Sequence, residues 1–168
     1  MNERCLFRGK IKNRDNWVVG HYFKTPLTVG VVDSNPDDGW FFLSGKERHC
    51  ISSENGVVNE VISETVGQCT GLRDKNGKLI FEGDILRLNG NKKDLCIVCF
   101  GEFGCIDFDS ESAVDTVVGW YYKPIETDTL SKTEPFCLPI QINKLILSLM
   151  KAEICGSVHD NPELLEVE

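Results

Sequence analysis

The chain has 168 residues, of which 41% are hydrophobic, and it carries 26 acidic and 18 basic side chains. This apolar content is enough for a folded core and excludes a largely disordered chain, while the net charge of −8 disfavours non-specific binding to polyanions. There is no run of about eighteen apolar residues, so no membrane span is expected, and the first residues do not resemble a secretory signal. We therefore expect a protein of a reducing cytoplasm, in which the eight cysteines stay free.

The first part of the chain has the pattern of short strands joined by turns. Strands are predicted over residues 4–12 and 17–23, with a turn at 14–16, and residues 24–39 form a long excursion before a short aromatic strand at 40–43. Asn55-Gly56 is typical of a tight turn because Asn-Gly readily adopts positive φ, and it predicts a hairpin between residues 49–52 and 56–61. The sequence thus indicates an N-terminal β-rich subdomain over residues 1–66.

The rest of the chain, residues 67–168, has the same turn chemistry at Asn76-Gly77 and Asn89-Gly90. Five short strands are predicted at residues 84–88, 95–100, 105–109, 117–122 and 154–158, with turns at 89–93 and 101–104. Short strands with tight turns are typical of a small SH3-like barrel. The predicted fold class is therefore mainly β, with an SH3-like small barrel subdomain beside the N-terminal β-rich subdomain and one or two short helices.

One helix is predicted near residues 140–151, as an insertion in the second subdomain. Its apolar residues are spaced as on one face of a helix: Ile142, Leu145, Ile146, Leu149 and Met150. We expect this face to cover an open edge or end of the barrel.

Groups that carry chemistry are present, but none forms a recognisable catalytic pattern. Cys96 and Cys99 are three residues apart, and in a strand their sulfur atoms point to opposite faces, which disfavours a shared metal. Asp107, Asp109 and Glu111 alternate along one strand, as a solvated face does more often than a cation site. The three histidines, His21, His49 and His159, lie in no nucleophile or metal motif, and no glycine-rich phosphate loop is present. We predict no catalytic residue, metal ligand or cofactor site, and no enzymatic activity.

A possible interaction surface combines basic and aromatic residues near the start of the chain. Residues 1–24 hold six basic and two acidic side chains, and Arg8, Lys10 and Trp17 fall among them. One interpretation is a surface that stacks on nucleic-acid bases. The other is that the charges pair internally and that Phe7 and Trp17 are cross-strand core partners. Further along the chain, Trp40 and Phe41 are the second candidate contact site.

Residues 66–86, which read VGQCTGLRDKNGKLIFEGDIL, resemble the central signature of the YopX family of phage and prophage proteins. The segments FRGK at 7–10 with WVVG at 17–20, and ICGSVHDNPELL at 154–165, resemble the two ends of the same family. Cys69 replaces the usual aromatic residue and Ser157 the usual Asn, and residues 110–152 match no part of the pattern. The resemblance implies an SH3-like barrel with an N-terminal extension, and it implies no catalytic residues.

Two functions are consistent with these patterns. The first is a non-enzymatic accessory protein of a phage or prophage that acts in the cytoplasm of a bacterial host through protein–protein contact or self-association. The alternative is a small-barrel module that binds nucleic acid, which the net charge disfavours. No cofactor and no membrane are expected in either case.

Overall fold

The computed structural model describes residues 3–26, 29–30, 42–43, 47–107, 112–126, 132–133 and 138–166. The chain is mainly β, as the sequence predicts. It divides into two units, of which the first is Cys5–Gly67 and the second comprises residues 68 onwards together with Glu3 and Arg4. The boundary predicted from the sequence lies between residues 66 and 67 and leaves Glu3 and Arg4 with the N-terminal part.

The first unit is built on four antiparallel strands in the order β6-β5-β2-β1. Its strands are β1 Phe7–Lys10, β2 Trp17–Pro26, β3 Val29–Gly30, β4 Phe42–Leu43, β5 Glu47–Ser52 and β6 Val58–Glu60, and β3 pairs with β4. A 3-10 turn follows at Ser63–Thr65. The hairpin predicted around Asn55-Gly56 is confirmed, with Gly56 at φ +80°.

The core of the first unit depends on close contact between strands. Ile51 is fully buried and Val61 nearly so. A methyl group added at Gly9 would lie 3.2 Å from both side chains, and one added at Gly20 would lie 2.0 Å from the carbonyl oxygen of Ser52. Glycine at both positions therefore lets the backbones of β1 and β2 approach their neighbours.

The second unit contains a hairpin and a five-stranded antiparallel sheet. Its elements are β7 Gly67–Arg73, β8 Leu79–Phe81, β9 Asp84–Arg87, β10 Leu95–Asp107, β11 Ser112–Pro124, β12 Ile140–Gln141, α1 Lys144–Leu149 and β13 Glu153–Ser157, followed by a 3-10 turn at Pro162–Leu165. β7 pairs with β8, and the sheet has the order β12-β11-β10-β9-β13. The classification as an SH3-like barrel stays a prediction, because the described edge strands β12 and β13 do not pair with each other.

The turn predicted at residues 101–104 is wrong, and so is a separate strand at 105–109. β10 runs without interruption through this segment, and Gly101, Glu102 and Phe103 lie opposite Gly119, Val118 and Val117 of β11. Two nearby glycines permit a turn but do not require one, and the ladder with β11 holds them extended. The result is one long hairpin in place of two short strand pairs.

The predicted helix exists, but only part of its predicted apolar face is buried: Ile142 is buried and Ile146 packs against the core, whereas Leu145 and Leu149 are exposed. α1 has six residues, and the Asn143 side chain accepts a hydrogen bond from the Ile146 N–H at 2.9 Å, which caps its first turn. Leu147 is buried, whereas Leu145 and Leu149 are 67% and 68% exposed. The helix is too short for a continuous apolar stripe, and it ends before Lys151, which has φ +45°.

The core of the second unit gathers residues from all its main elements. Its buried members are Ile80, Leu86, Cys96, Val98, Tyr122, Ile142, Leu147 and Ala152. A second cluster of Ile85, Leu95 and Ile125 is covered by side chains from the end of the chain, including Leu164 and Leu165. The 3-10 turn that ends the described chain is therefore part of this core.

Candidate interaction surfaces

The basic and aromatic residues singled out in the first unit lie together on one face of the β1–β2 hairpin. Lys10 is directly opposite Trp17, and Arg8 is two residues away on the same face. The Arg8 guanidinium carbon is 4.4 Å from the centre of the Trp17 ring, and the Lys10 ammonium is 5.7 Å from it. Both are cation–π distances. The other two predicted contact residues, Trp40 and Phe41, lie outside the described residues.

The predicted core pairing of Phe7 with Trp17 is wrong. Phe7 lies opposite Gly20 on the other face of the hairpin, and its ring packs against Tyr22 at a centroid distance of 5.4 Å. The Tyr22 hydroxyl is 2.6 Å from Nδ1 of His49. The register explains the difference, since positions 7 and 17 point to opposite faces when 10 pairs with 17.

All three lysines of residues 1–24 form ion pairs with acidic residues of the same unit. The ammonium of Lys10 lies 3.1 Å from Asp15, that of Lys12 lies 2.6 Å from Glu60, and that of Lys24 lies 3.2 Å from Glu47. Over residues 5–67 the sequence has seven basic and eight acidic side chains. The basic excess of the first 24 residues is thus balanced within the first unit.

A second surface lies on the long β10–β11 hairpin. β9 pairs with β10 only at Leu95–Ile97, and β12 pairs with β11 only at Tyr121 and Tyr122. Beyond these positions, in residues 100–107 and 112–120, the described strand pairings of β10 and β11 are with each other alone. We call this part of the hairpin the ribbon.

One face of the ribbon carries exposed apolar side chains. Phe100 is 50% exposed, Val118 is 72% exposed and Trp120 is half-buried, and the rings of Phe100 and Trp120 lie 4.9 Å apart. We call these three residues the apolar stripe. By strand alternation the stripe continues the face on which Val98 and Tyr122 are buried in the core. The face of the hairpin that is buried at Val98 and Tyr122 therefore continues, with apolar but exposed side chains, beyond the edge of the core.

The opposite face of the hairpin holds titratable groups in a desolvated setting. Phe103 stacks on Tyr121 at 4.8 Å, and Cys99 lies across from Tyr121. Desolvation raises the pKa of Cys99 and of Tyr121 above their usual values. It also raises the pKa of Glu82, although the N–H groups of Gln68 and Phe100 donate to that carboxylate and oppose the shift.

The two cysteines of the C-x-x-C pair, Cys96 and Cys99, both have a raised thiol pKa. Cys96 is fully buried, and burial strongly raises the pKa of its thiol. Cys96 shares the core face with Val98 and Cys99 lies on the opposite face, in agreement with the alternation predicted for these two cysteines. Within the described part of the chain, no three His, Cys, Asp or Glu side chains are grouped as metal ligands would be. Of the Asp107, Asp109 and Glu111 set, only the backbone of Asp107 is described.

The signature segment has a structural role in the second unit. The buried Asp74 carboxylate accepts hydrogen bonds from the N–H groups of Asn76 and Lys78 at 2.9 Å, and from that of Ile154 in β13 at 3.2 Å. Desolvation alone would raise the pKa of Asp74, but these N–H groups together lower it below its usual range. The Asp74 carboxylate thus stabilises the β7–β8 turn and connects it to β13 through hydrogen bonds.

The glycine that follows this hairpin links it to the end of the chain. Gly83 has φ +77°, a conformation that glycine adopts without steric cost. Its N–H donates to the carbonyl of Val98 and its carbonyl accepts from the N–H of Val158, both at 2.9 Å. Asn161 before Pro162 and Glu163 has the sequence pattern of a helix cap, but its side chain makes no cap hydrogen bond to the 3-10 turn, so that interpretation of the pattern is wrong. It accepts instead from the Ser157 N–H at 3.4 Å and donates to Glu163 at 3.0 Å.

Comparison with known proteins identifies one family. The family model described as YopX protein matches residues 7–166, nearly the whole chain. No curated protein matches the chain. None of the helices among the described residues is both long and apolar enough to cross a membrane.

Proposed function

Since the chain belongs to the YopX protein family, we propose that it is an accessory protein of a phage or prophage that acts in the bacterial cytoplasm by binding another protein, without catalysis. The observation that carries this proposal is the apolar stripe of Phe100, Val118 and Trp120 on the ribbon. Exposed aromatic and aliphatic side chains that adjoin one another are typical of contact sites for partners.

Burial of the stripe by a partner would contribute enough free energy to stabilise a complex. Complete burial of a side chain of this size stabilises a complex by about 1.5–3 kcal/mol, and Phe100 and Val118 both retain half or more of their accessible surface. Phe100 and Trp120 already constrain each other through ring contact, so little conformational entropy is lost when a partner covers them. Trp is also the residue type most enriched among binding hot spots.

Affinity capture from bacterial cells that produce the tagged chain tests this function. Val118→Asp places a charge in the stripe, and Val57→Asp is the matched control, because Val57 is 50% exposed in the turn before β6 of the first unit. We expect a protein that is captured by the native chain and by the Val57 variant and is lost with the Val118 variant. Identical protein sets from all three chains would contradict the proposal.

The grouping of Arg8, Lys10 and Trp17 favours nucleic-acid binding as a second candidate function. The pairing of Lys10 with Asp15 weighs against it, as does the occupation of a Trp17 face by Arg8. Fluorescence anisotropy with labelled DNA and RNA at about 50 mM and 200 mM salt distinguishes the two functions, since phosphate contacts weaken steeply over that range.

The variants for this second test follow from the geometry. If nucleic acid binds at the cluster, Arg8→Glu abolishes the signal while Lys92→Glu, at an exposed turn of the second unit, leaves it intact. Absence of binding by the native chain at the lower salt concentration eliminates this candidate.

A further inference from the structure

The proposed function does not specify the chemistry of the partner. The charge of the residues around the apolar stripe indicates which kind of partner segment it binds. We infer that the stripe binds a cationic segment of a partner protein, in which Lys or Arg side chains alternate with aromatic or large aliphatic ones. This inference rests on the proposed function and concerns the same surface.

The first argument is the incomplete environment of the ribbon. In residues 100–107 and 112–120 the described strand pairings of β10 and β11 are only with each other. A two-stranded hairpin is at best marginally stable in water by itself, and it gains stability from anything that covers its apolar face. The stripe lies on the same face of the hairpin as the buried residues Val98 and Tyr122. A segment that covered the stripe would therefore extend the existing core.

The second argument is electrostatic. The second unit carries 18 acidic and 11 basic residues, so nearly all of the net charge of −8 belongs to it. Residues 100–122 contain no basic residue and five acidic ones, namely Glu102, Asp107, Asp109, Glu111 and Asp115. Glu102 is exposed and lies directly opposite Val118, within the stripe's own face. A cationic partner is attracted to this hairpin, whereas nucleic acid and anionic lipid are repelled.

The same charge argues against a second copy of the chain as the occupant. Two copies that met through the stripe would bring two exposed Glu102 carboxylates into one interface, and each second unit has seven more acidic than basic residues. Like charges across an interface are unfavourable. The occupant is therefore a different protein with the opposite charge.

The aromatic members of the stripe explain why apolar and cationic groups are expected together. Ammonium and guanidinium groups bind to the faces of Trp and Phe rings, and most strongly to Trp. The first unit contains this combination internally, where Arg8 covers Trp17 and Lys10 pairs with Asp15. On the ribbon, the rings are those of Trp120 and Phe100, and the carboxylate is that of Glu102. The partner supplies a cation for these groups and an apolar residue that packs against Val118.

Three labelled peptides of equal length test the inference by fluorescence anisotropy with the full chain. One alternates Lys with Leu and contains one Trp, the second replaces every Lys with Glu, and the third replaces Leu and Trp with Ser. We expect saturable binding of the first peptide only. If the Glu peptide binds as tightly as the first, the partner segment does not need to be cationic. If the Ser peptide binds as tightly, the segment does not need apolar side chains. Either result overturns the inference.

Variants of the chain locate the binding site. Val118→Ser is expected to weaken the first peptide about tenfold, since burial of one Val contributes about 1.5 kcal/mol or more. Glu102→Gln is expected to weaken it at low salt and to reduce the salt dependence. The controls Val57→Ser and Glu54→Gln change exposed residues of the first unit in the same ways and leave the affinity unchanged. Equal losses with Val118→Ser and Val57→Ser would remove the stripe from the interface.

Three further outcomes separate this inference from the proposed function. A dimer in light scattering that Val118→Ser dissociates would make a second copy the occupant and overturn the cationic partner. If affinity capture yields a partner that depends on Val118 while the Lys peptide does not bind, the proposed function stands and the inferred chemistry is wrong. If capture yields no such partner, the proposed function itself fails.

Discussion

Replacement of Asp74 tests whether the signature turn is held by a buried carboxylate. Oδ1 of Asp74 accepts from the N–H groups of Asn76 and Lys78, and Oδ2 accepts from that of Ile154. Asp74→Ala removes both acceptor oxygens and with them all three of these hydrogen bonds. Asp74→Asn keeps one carbonyl oxygen for the two turn N–H groups but presents an NH2 group to the N–H of Ile154, so that two donors face each other.

The cost of each substitution follows from the surroundings of the three donors. The residues Asn76 and Lys78 are exposed, so their N–H groups regain water and each lost bond costs about 1 kcal/mol, while the half-buried N–H of Ile154 costs about 1–3 kcal/mol. We expect Asp74→Ala to lower the free energy of unfolding by about 3–5 kcal/mol and Asp74→Asn by about 2 kcal/mol. Urea unfolding followed by circular dichroism measures both values.

The pH dependence supplies an independent check on the charge. Hydrogen bonding holds the pKa of Asp74 in the folded protein below that of the unfolded chain. Its contribution to stability is therefore complete above about pH 4 and is lost as the pH falls through the folded-state pKa. The stability difference between the native chain and Asp74→Asn should be largest at neutral pH and should shrink on acidification below about pH 4.

The control for this experiment is Asp94→Asn, because Asp94 is exposed in the turn that precedes β10. A surface change of this kind should alter stability by no more than about 0.5 kcal/mol. The reasoning would be refuted if Asp74→Asn were as stable as Asp94→Asn at neutral pH, or if the difference between them grew on acidification.

Three other predictions concern backbone strain, thiol reactivity and helix capping. Gly83→Ala should destabilise the chain in urea by about 1–3 kcal/mol and more than Gly56→Ala, because both positions have positive φ but an added methyl at Gly83 would crowd Val158 at 3.3 Å; equal losses would contradict the crowding. Brief alkylation followed by peptide mass spectrometry should modify the exposed Cys5 and spare Cys96, whose buried thiol has a raised pKa, and modification of Cys96 at the same rate would show that this core opens readily. Asn143→Ala should cost about 1 kcal/mol in thermal or urea unfolding because it removes the cap of α1, and an unchanged midpoint would show that the cap is not needed.

Local backbone chemistry explains which parts of the fold the sequence predicts well. All three Asn-Gly pairs lie in turns between antiparallel strands, and at Asn89-Gly90 both residues have positive φ, at 51° and 72°. At Gly56 and Gly77 only the glycine has positive φ. Each turn depends on its own two residues and needs no distant partner. The bend at Gly83 is predictable for the same reason.

The errors of sequence-based prediction arise where a distant segment decides the local structure. Gly101 stays extended because Gly119 of β11 lies opposite, and nothing in residues 101–104 reveals that partner. The apolar pattern of residues 142–150 predicts a buried stripe, but α1 is six residues long and inserts only Leu147 fully into the core. Tertiary packing overrides local pattern in both cases.

The same distinction between local sequence and tertiary packing applies to the two candidate interaction surfaces. The sequence singled out Arg8, Lys10 and Trp17 as candidate contact residues, but it equally allowed Phe7 as the partner of Trp17, and the register of the folded hairpin decided that Lys10 lies opposite Trp17. The sequence alone determined the acidity of residues 100–122. Only the tertiary structure decided that Val98 and Tyr122 lie inside the core while Phe100 and Val118, on the same face, remain exposed. Alternation specifies the face to which a side chain points, but how far the core extends along that face depends on which other elements pack against it.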